Sequence, residues 1–275
     1  MASAAIPLVL CEITGDGVAL VTYNNPKKLN AWSVEMVSAL RAKFIELADD
    51  QSVGAVVLTG AGRYFSAGAD FGGMLSATLP STLVKVVESH TRDIFNIFLD
   101  MPKPIIAAVQ GPAIGGAVTS ASLCDAILCS ETATFRTPFV ELGVSPEGCS
   151  TYTFEKWYGK EFYNRMIAES GTAGPSFAKK HGFVQEVVPG GPAELVARAV
   201  EVAKTWIGND RKIVAQGEMH KLKEVNAAEA EELAKSILSA NFWECQVKLL
   251  TKRKKTGAAC LFWLLGWLRP VWSML

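Results

Sequence analysis

Short runs rich in β-branched residues alternate with segments of helical spacing, and this alternation restricts the possible fold more than any other feature of the chain. "PLVLCEIT" and "GVALVTYNN" flank the turn "GDG" and predict an antiparallel hairpin. "WSVEMVSALRAKFIELADD" follows, with Met36, Leu40, Phe44 and Leu47 at helical spacing and with Ser33 and Glu35 suited to a helix start. Strands are expected at "VGAVVLTG", at "KPIIAAVQG", twice within "AILCSETATFRTP" and once in "GFVQEVVPGG". Helices are expected near residues 82–99 and within "PAIGGAVTSASLCD". Strands alternating with helices predict an α/β domain over residues 1–191. From Pro192 the spacing becomes helical, as in "PAELVARAVEVAKTWIG" and "AAEAEELAKSILSANFWECQVKLL", which predicts a helical C-terminal region over residues 192–257. Residues 258–275 form an apolar tail.

Charge excludes several partners. Twenty-seven basic residues balance twenty-seven acidic ones, so no global field favours nucleic acid or an anionic membrane, and any charged ligand must be recognised locally. The six cysteines lack the close pairing of a zinc site and the density of a disulfide scaffold, which fits a reducing compartment. His90, His181 and His220 are far apart in sequence, and neither a metal site nor a hydrolytic triad is expected from them. "MASAAIPLVLCEITGDG" lacks the basic start and long apolar stretch of a secretory signal.

Two loops containing glycine each follow an apolar strand: "FSAGADFGG" and "GPAIGGAV". Neither has the glycine spacing of a dinucleotide fingerprint or the Gly-Lys-Ser/Thr ending of a P-loop. In the second loop the glycines begin a helix, whose first amides have no internal partners. The same pattern serves a tight strand-to-helix turn or a pair of backbone donors aimed at one oxygen. Further on, "GVSPEGCST" sets a lone carboxylate, Glu147, between a proline and a glycine, which suits a surface acid or a rigidly held functional one. Cys149, with no histidine nearby in sequence, reads as a packed small residue, and Asp70 and Asp125 read as loop-holding acids.

Taken together, "NNPKKLNAW", "VVLTGAGRYFSAGADFGGM", "MPKPIIAAVQGPAIGGAV", "CDAILCSETATFRTPFVELGVSPEGCS" and "GFVQEVV" resemble the crotonase superfamily, the enoyl-CoA hydratase and isomerase proteins. The resemblance covers most of residues 8–190 and implies the ββα superhelix of that family with a helical C-terminal region. It implies that the N–H groups of Ala69 and Gly116 bind a thioester oxygen, and that Ala67, Gly68, Ala69, Asp70 and Phe71 line an acyl-CoA site. Lys27 and Lys28 become candidate phosphate partners. The hydratases carry two glutamates, at positions that match Thr119 and Phe139 here, so both acids are missing; Glu141 replaces the second only if the register slips by two residues. "SPEGCS" is similar to the peroxisomal Δ3,Δ2-enoyl-CoA isomerase branch, whose single catalytic glutamate matches Glu147. The resemblance thus implies a cofactor-independent isomerase, with CoA as part of the substrate, and a homotrimer or hexamer. Hydratase or dienoyl-CoA isomerase activity and a non-catalytic acyl-CoA-binding role remain as alternatives.

The tail joins "TKRKKTG" to "AACLFWLLGWLRPVWSML", and its apolar run ends at Arg269 and Pro270, short of the about 20 residues that span a bilayer. Packing on the core or a neighbouring subunit is the leading expectation. Contact with a membrane interface and partial disorder stay open. The terminal "SML" resembles the tripeptide read by the peroxisomal import receptor, with methionine in place of the usual basic residue. A peroxisome-like organelle is the first expected location, with cytoplasm or mitochondrial matrix as the alternatives.

Overall fold

In the computed structural model, which describes residues 6–70, 80–215, 217–252 and 254–255, the expected hairpin is formed by β1 (Val9–Ile13) and β2 (Val18–Tyr23). The apolar tail at 258–275 lies outside the described residues. Beyond the hairpin the chain runs through α1 (Val34–Asp49), β3 (Ala55–Gly60), α2 (Pro80–Asp100), β4 (Ile105–Val109), β5 (Ala113–Ile114) and α3 (Gly116–Ser122). Then come β6 (Ala126–Ser130), β7 (Phe135–Arg136), α4 (Phe139–Leu142), α5 (Ser150–Tyr158), α6 (Lys160–Tyr163), β8 (Thr172–Ala173), α7 (Pro175–Lys180) and β9 (Glu186–Val188). The helices α8 (Pro192–Trp206), α9 (Lys212–Ala215), α10 (Met219–Ser236) and α11 (Ala240–Lys252) complete the described chain. The main sheet has the order β1-β2-β3-β4-β6-β9 and is parallel except at the hairpin; β5, β7 and β8 make a smaller sheet beside it.

Parallel central strands are covered on both faces, so they read as continuous apolar runs, and every residue of β4 and β6 is buried. Along β3 the side chains still alternate. Val56 and Leu58 enter the larger core layer, with Phe44, Phe95 and Phe98, while Ala55 and Val57 enter a second layer on the opposite face. That second layer is closed by α8, which lays Leu195, Ala199 and Ala203, four residues apart, onto β3, β4 and β6. Full burial of Leu195 alone is worth about 1.5–3 kcal/mol. The C-terminal helical region therefore begins as part of the cover of the sheet. On the other face Ser33 caps α1 through its hydroxyl, which accepts from the Met36 N–H at 3.3 Å, and Met36, Leu40, Phe44 and Leu47 are buried as their spacing predicts.

A buried ion pair ties the C-terminal helices to the sheet. The side chains of Arg211 and Asp125 are both fully buried, and Arg211 Nε donates to Asp125 Oδ2 at 2.9 Å. Arg211 also donates to the carbonyls of Met101 and Leu123 at 3.2 and 2.5 Å, so the guanidinium joins the ends of α2 and α3. Asp125 accepts from the Ile105 N–H at 2.8 Å and the Lys212 N–H at 2.6 Å, the loop-holding role expected of it. Removing one partner would leave the other charged and buried. Arg211→Ala is accordingly expected to lower unfolding free energy by about 3–5 kcal/mol in denaturant titration, and Arg211→Lys to recover little, because an ammonium cannot reproduce the planar fork.

Candidate active site

The first glycine loop is held from both sides before it reaches the site. After β3, the Asn30 side-chain amide donates to the carbonyls of Ala61 and Tyr64 at 2.9 and 2.8 Å, while its own oxygen accepts from the Asn25 N–H. Gln110, at the end of β4, donates to the Gly60 and Tyr64 carbonyls at 2.5 and 2.8 Å. Ser66 then donates to the Asn30 carbonyl and accepts from the Gly68 N–H. These buried amide and hydroxyl groups fix the path of the loop without any regular secondary structure.

Two backbone amides, of Ala69 and Gly116, lie near each other where this loop meets α3. Trp32 N–H donates to the Gly68 carbonyl at 2.8 Å and Asp70 N–H donates to the Trp32 carbonyl at 3.1 Å, forming a parallel bridge between Trp32 and Ala69. A residue flanked by two such bonds turns its own N–H to the opposite side, so the Ala69 N–H faces away from Trp32. Gly68, at φ +75°, makes the approach possible: a Cβ there would lie 2.3 Å from the Ile114 carbonyl oxygen and 3.4 Å from the Gly116 nitrogen. Gly116 is the first residue of α3, where an amide has no partner within the helix. Among the described residues, neither the Ala69 nor the Gly116 N–H has a backbone acceptor.

Glu147 is brought to the same place. It is only 7% exposed, so the lone acid of "SPEGCS" is an interior group. A methyl group added to Gly116 would meet Glu147 Oε1 at 3.0 Å and Trp32 Cζ3 at 2.9 Å, which puts the carboxylate beside the start of α3. Burial, and secondarily the negative charge of Glu229, push its pKa from the usual carboxylate range up to about 8. No hydrogen bond to this carboxylate forms among the described residues, which leaves its lone pairs available. Cys149 is the packed residue expected of it. Its buried thiol donates to the Leu222 carbonyl at 3.3 Å and is pushed well up by burial, so it is not a thiolate.

The remaining sequence candidates divide. Ala67 N–H donates to the Leu29 carbonyl at 2.9 Å, and Asp70 is half-buried beside Trp32, so both belong to the loop at the site. Phe71 lies outside the described residues. Lys27 and Lys28 are exposed on a single 3-10 turn, Pro26–Lys28, whose following residue, Leu29, accepts from the Ala67 N–H. Thr119 is fully buried in α3 and its hydroxyl donates to the Gly116 carbonyl at 3.3 Å, while Phe139 is buried at the start of α4. Glu141 is half exposed and ion-paired with Arg136, a surface acid and not an interior one.

Sequence reasoning missed Glu229, on α10. This carboxylate is buried, and it accepts from the Cys149 N–H at 2.6 Å and from the Thr151 N–H and hydroxyl at 2.8 and 2.6 Å. The signal was present: in helical spacing Glu229 falls on the stripe of Leu222, Asn226, Ala230 and Leu233, where an acid must be paired to be tolerated.

The chain has relatives among known proteins. The enoyl-CoA hydratase/isomerase family model matches residues 14–248. Enoyl-CoA delta isomerase 2 of Homo sapiens is 34% identical over 250 residues, 87% of this chain and 62% of that protein, so the chain spans about three-fifths of that relative's length. The peroxisomal enoyl-CoA delta isomerase 3 of Mus musculus is 33% identical over 251 residues, 85% of this chain and 78% of that protein. Among solved structures, an enoyl-CoA hydratase/isomerase from Pseudoalteromonas atlantica T6c superposes with a TM-score of 0.77 over 89% of this chain and 97% of that one, at 23% identity.

Proposed function

The chain belongs to the enoyl-CoA hydratase/isomerase family and has the crotonase fold, and from that premise we propose that it moves the double bond of 3-enoyl-CoA to give 2-trans-enoyl-CoA. The observation that carries this reading is the buried carboxylate of Glu147 beside Gly116. The thioester oxygen is held by the N–H groups of Ala69 and Gly116. Glu147 removes a proton from the α-carbon; the electrons of that C–H bond flow toward the thioester oxygen as an enolate, and the two amides stabilise the charge where it develops. The enolate then collapses: the double bond forms between the α- and β-carbons, the old one opens, and Glu147 returns the proton to the γ-carbon. Hydration needs acidic groups to handle water and the carbon proton together, and Thr119 and Phe139 offer none.

This chemistry needs no cofactor beyond the CoA of the substrate, and the exposed Lys27 and Lys28 are the proposed partners of its phosphates. A peroxisomal location is supported by the mouse relative, whose name places it in the peroxisome. Purified protein given 3-enoyl-CoA and, separately, 2-enoyl-CoA in water is expected to isomerise the first and leave the second unhydrated. Hydration at a comparable rate would return the alternative activity, and CoA-ester binding with neither turnover would make the chain a binding protein.

The state of the base sets the pH dependence. Glu147 acts only when ionised, and its pKa of about 8 places the acid limb of kcat/KM there. Activity is expected to rise tenfold per pH unit below that value and then level. A limb near the ordinary carboxylate range, around pH 4.5, would remove Glu147 from the base role.

A further inference from the structure

We propose that Glu229 is a positioning residue for the isomerisation: from the C-terminal helix α10 its carboxylate clamps the Glu147–Thr151 turn and keeps the Glu147 side chain against Gly116. The inference rests on the reading of Glu147 as the base.

The geometry of the clamp is specific. Residues 148 and 149 both take positive φ, +68° at Gly148 and +63° at Cys149, and the second is uncommon for a residue with a side chain. A strained turn of this kind persists only where its surroundings over-determine it. Glu229 does so by collecting three donors, the Cys149 N–H on Oε2 and the Thr151 N–H and hydroxyl on Oε1. Further ties come from the same helix or its approach: Cys149 Sγ to the Leu222 carbonyl, Ser145 N–H to Ser236 Oγ at 3.3 Å, and Tyr152 hydroxyl to Glu218 at 2.8 Å. The turn that carries the base is thus bonded to α10 on both sides of Glu147, and α10 is in turn packed along α2.

Glu229 has a second effect that a neutral clamp would lack. Its negative charge disfavours ionisation of Glu147, which makes Glu147 a stronger base once ionised. Among the described residues no other charge acts on Glu147. Trp32 and Thr119, which flank the turn, are uncharged, and the adjacent Cys149 thiol is kept protonated by burial. Glutamine at 229 would offer one acceptor and one donor where three donors arrive, so at least one N–H of the turn would face an N–H.

Glu229→Gln and Glu229→Asp are to be assayed with 3-enoyl-CoA beside Glu147→Gln. The clamp predicts that Glu229→Gln lowers kcat by about 10- to 100-fold while KM changes less than about threefold, because misplacement of the base affects the reaction and not the binding of CoA. It also predicts that the acid limb moves down by about one pH unit, since a like charge has gone. Glu229→Asp keeps the charge but withdraws the carboxylate by one methylene, and is expected to lower kcat with the limb unmoved. A merely structural residue would lower the melting temperature without moving the limb, and that result in Glu229→Gln overturns the proposal. So does a folded Glu229→Asp with the wild-type kcat, which also serves where the glutamine variant does not fold. If Glu147→Gln itself turns over, the base reading falls and the clamp with it; if Glu147→Gln is inactive and both Glu229 variants are wild-type, the clamp alone falls.

Discussion

Glu147→Gln is expected to lower kcat for isomerisation by about 10²–10⁴-fold while leaving the Kd for an acyl-CoA within a fewfold of wild type, because the amide keeps the shape and loses the proton acceptor. The same change should make the protein more stable. The unfolded chain ionises this glutamate near 4.5 and the folded chain near 8, so between those values the unfolded state releases a proton that the folded state retains. The carboxyl therefore weakens folding progressively as pH rises through that window, by an amount on the order of a few kcal/mol at its upper end. Glutamine removes the titration. The variant should melt roughly 5 °C or more above wild type at pH 8, with the difference closing toward pH 4.5. A variant that is inactive and no more stable would mean that Glu147 is not an interior acid with a raised pKa.

Gly116→Pro is expected to lower kcat by about 10²–10³-fold, the usual cost of losing one oxyanion donor, since proline has no N–H to offer the enolate oxygen. Gly116→Ala separates donor loss from crowding. It keeps the N–H, but its methyl would press on Trp32 and on the carboxylate of Glu147, at 2.9 and 3.0 Å, so it should also lose turnover by moving the base. Circular dichroism and thermal melting establish that each variant is folded. A folded Gly116→Pro with an unchanged rate would exclude this amide as a donor.

Much of the fold was legible because its signals are local. The hairpin, α1 with its Ser33 cap, and the glycine start of α3 all follow from periodicity and end signals within a few residues. What sequence could not supply is proximity across the chain. Glu147 read equally well as a turn acid facing water, and only its burial against Gly116, thirty-one positions earlier in the chain, distinguishes the two readings. Arg211 and Glu229 stand among other charged residues in the sequence, beside Asp210 and Lys212 and near Glu231 and Glu232, yet both are interior because their partners, Asp125 and the Cys149–Thr151 turn, come from the α/β domain. Their roles depend on how α9 and α10 return to the sheet. The proposed oxyanion pair illustrates the same limit: glycine-rich loops permit close approach, but the direction of the Ala69 N–H is set by its bridge to Trp32, a pairing that no spacing in the sequence announces.

Following the migrating proton itself tests the centre of the proposed mechanism, one carboxylate that takes hydrogen from the α-carbon and delivers it to the γ-carbon. In a single-turnover reaction of the wild-type protein with 3-enoyl-CoA deuterated at the α-carbon, mass spectrometry should find deuterium at the γ-carbon of the product, because Glu147 is buried and holds the label through one catalytic cycle. A product whose new γ-hydrogen comes wholly from solvent would contradict a single shuttling base and require a second proton donor at the site.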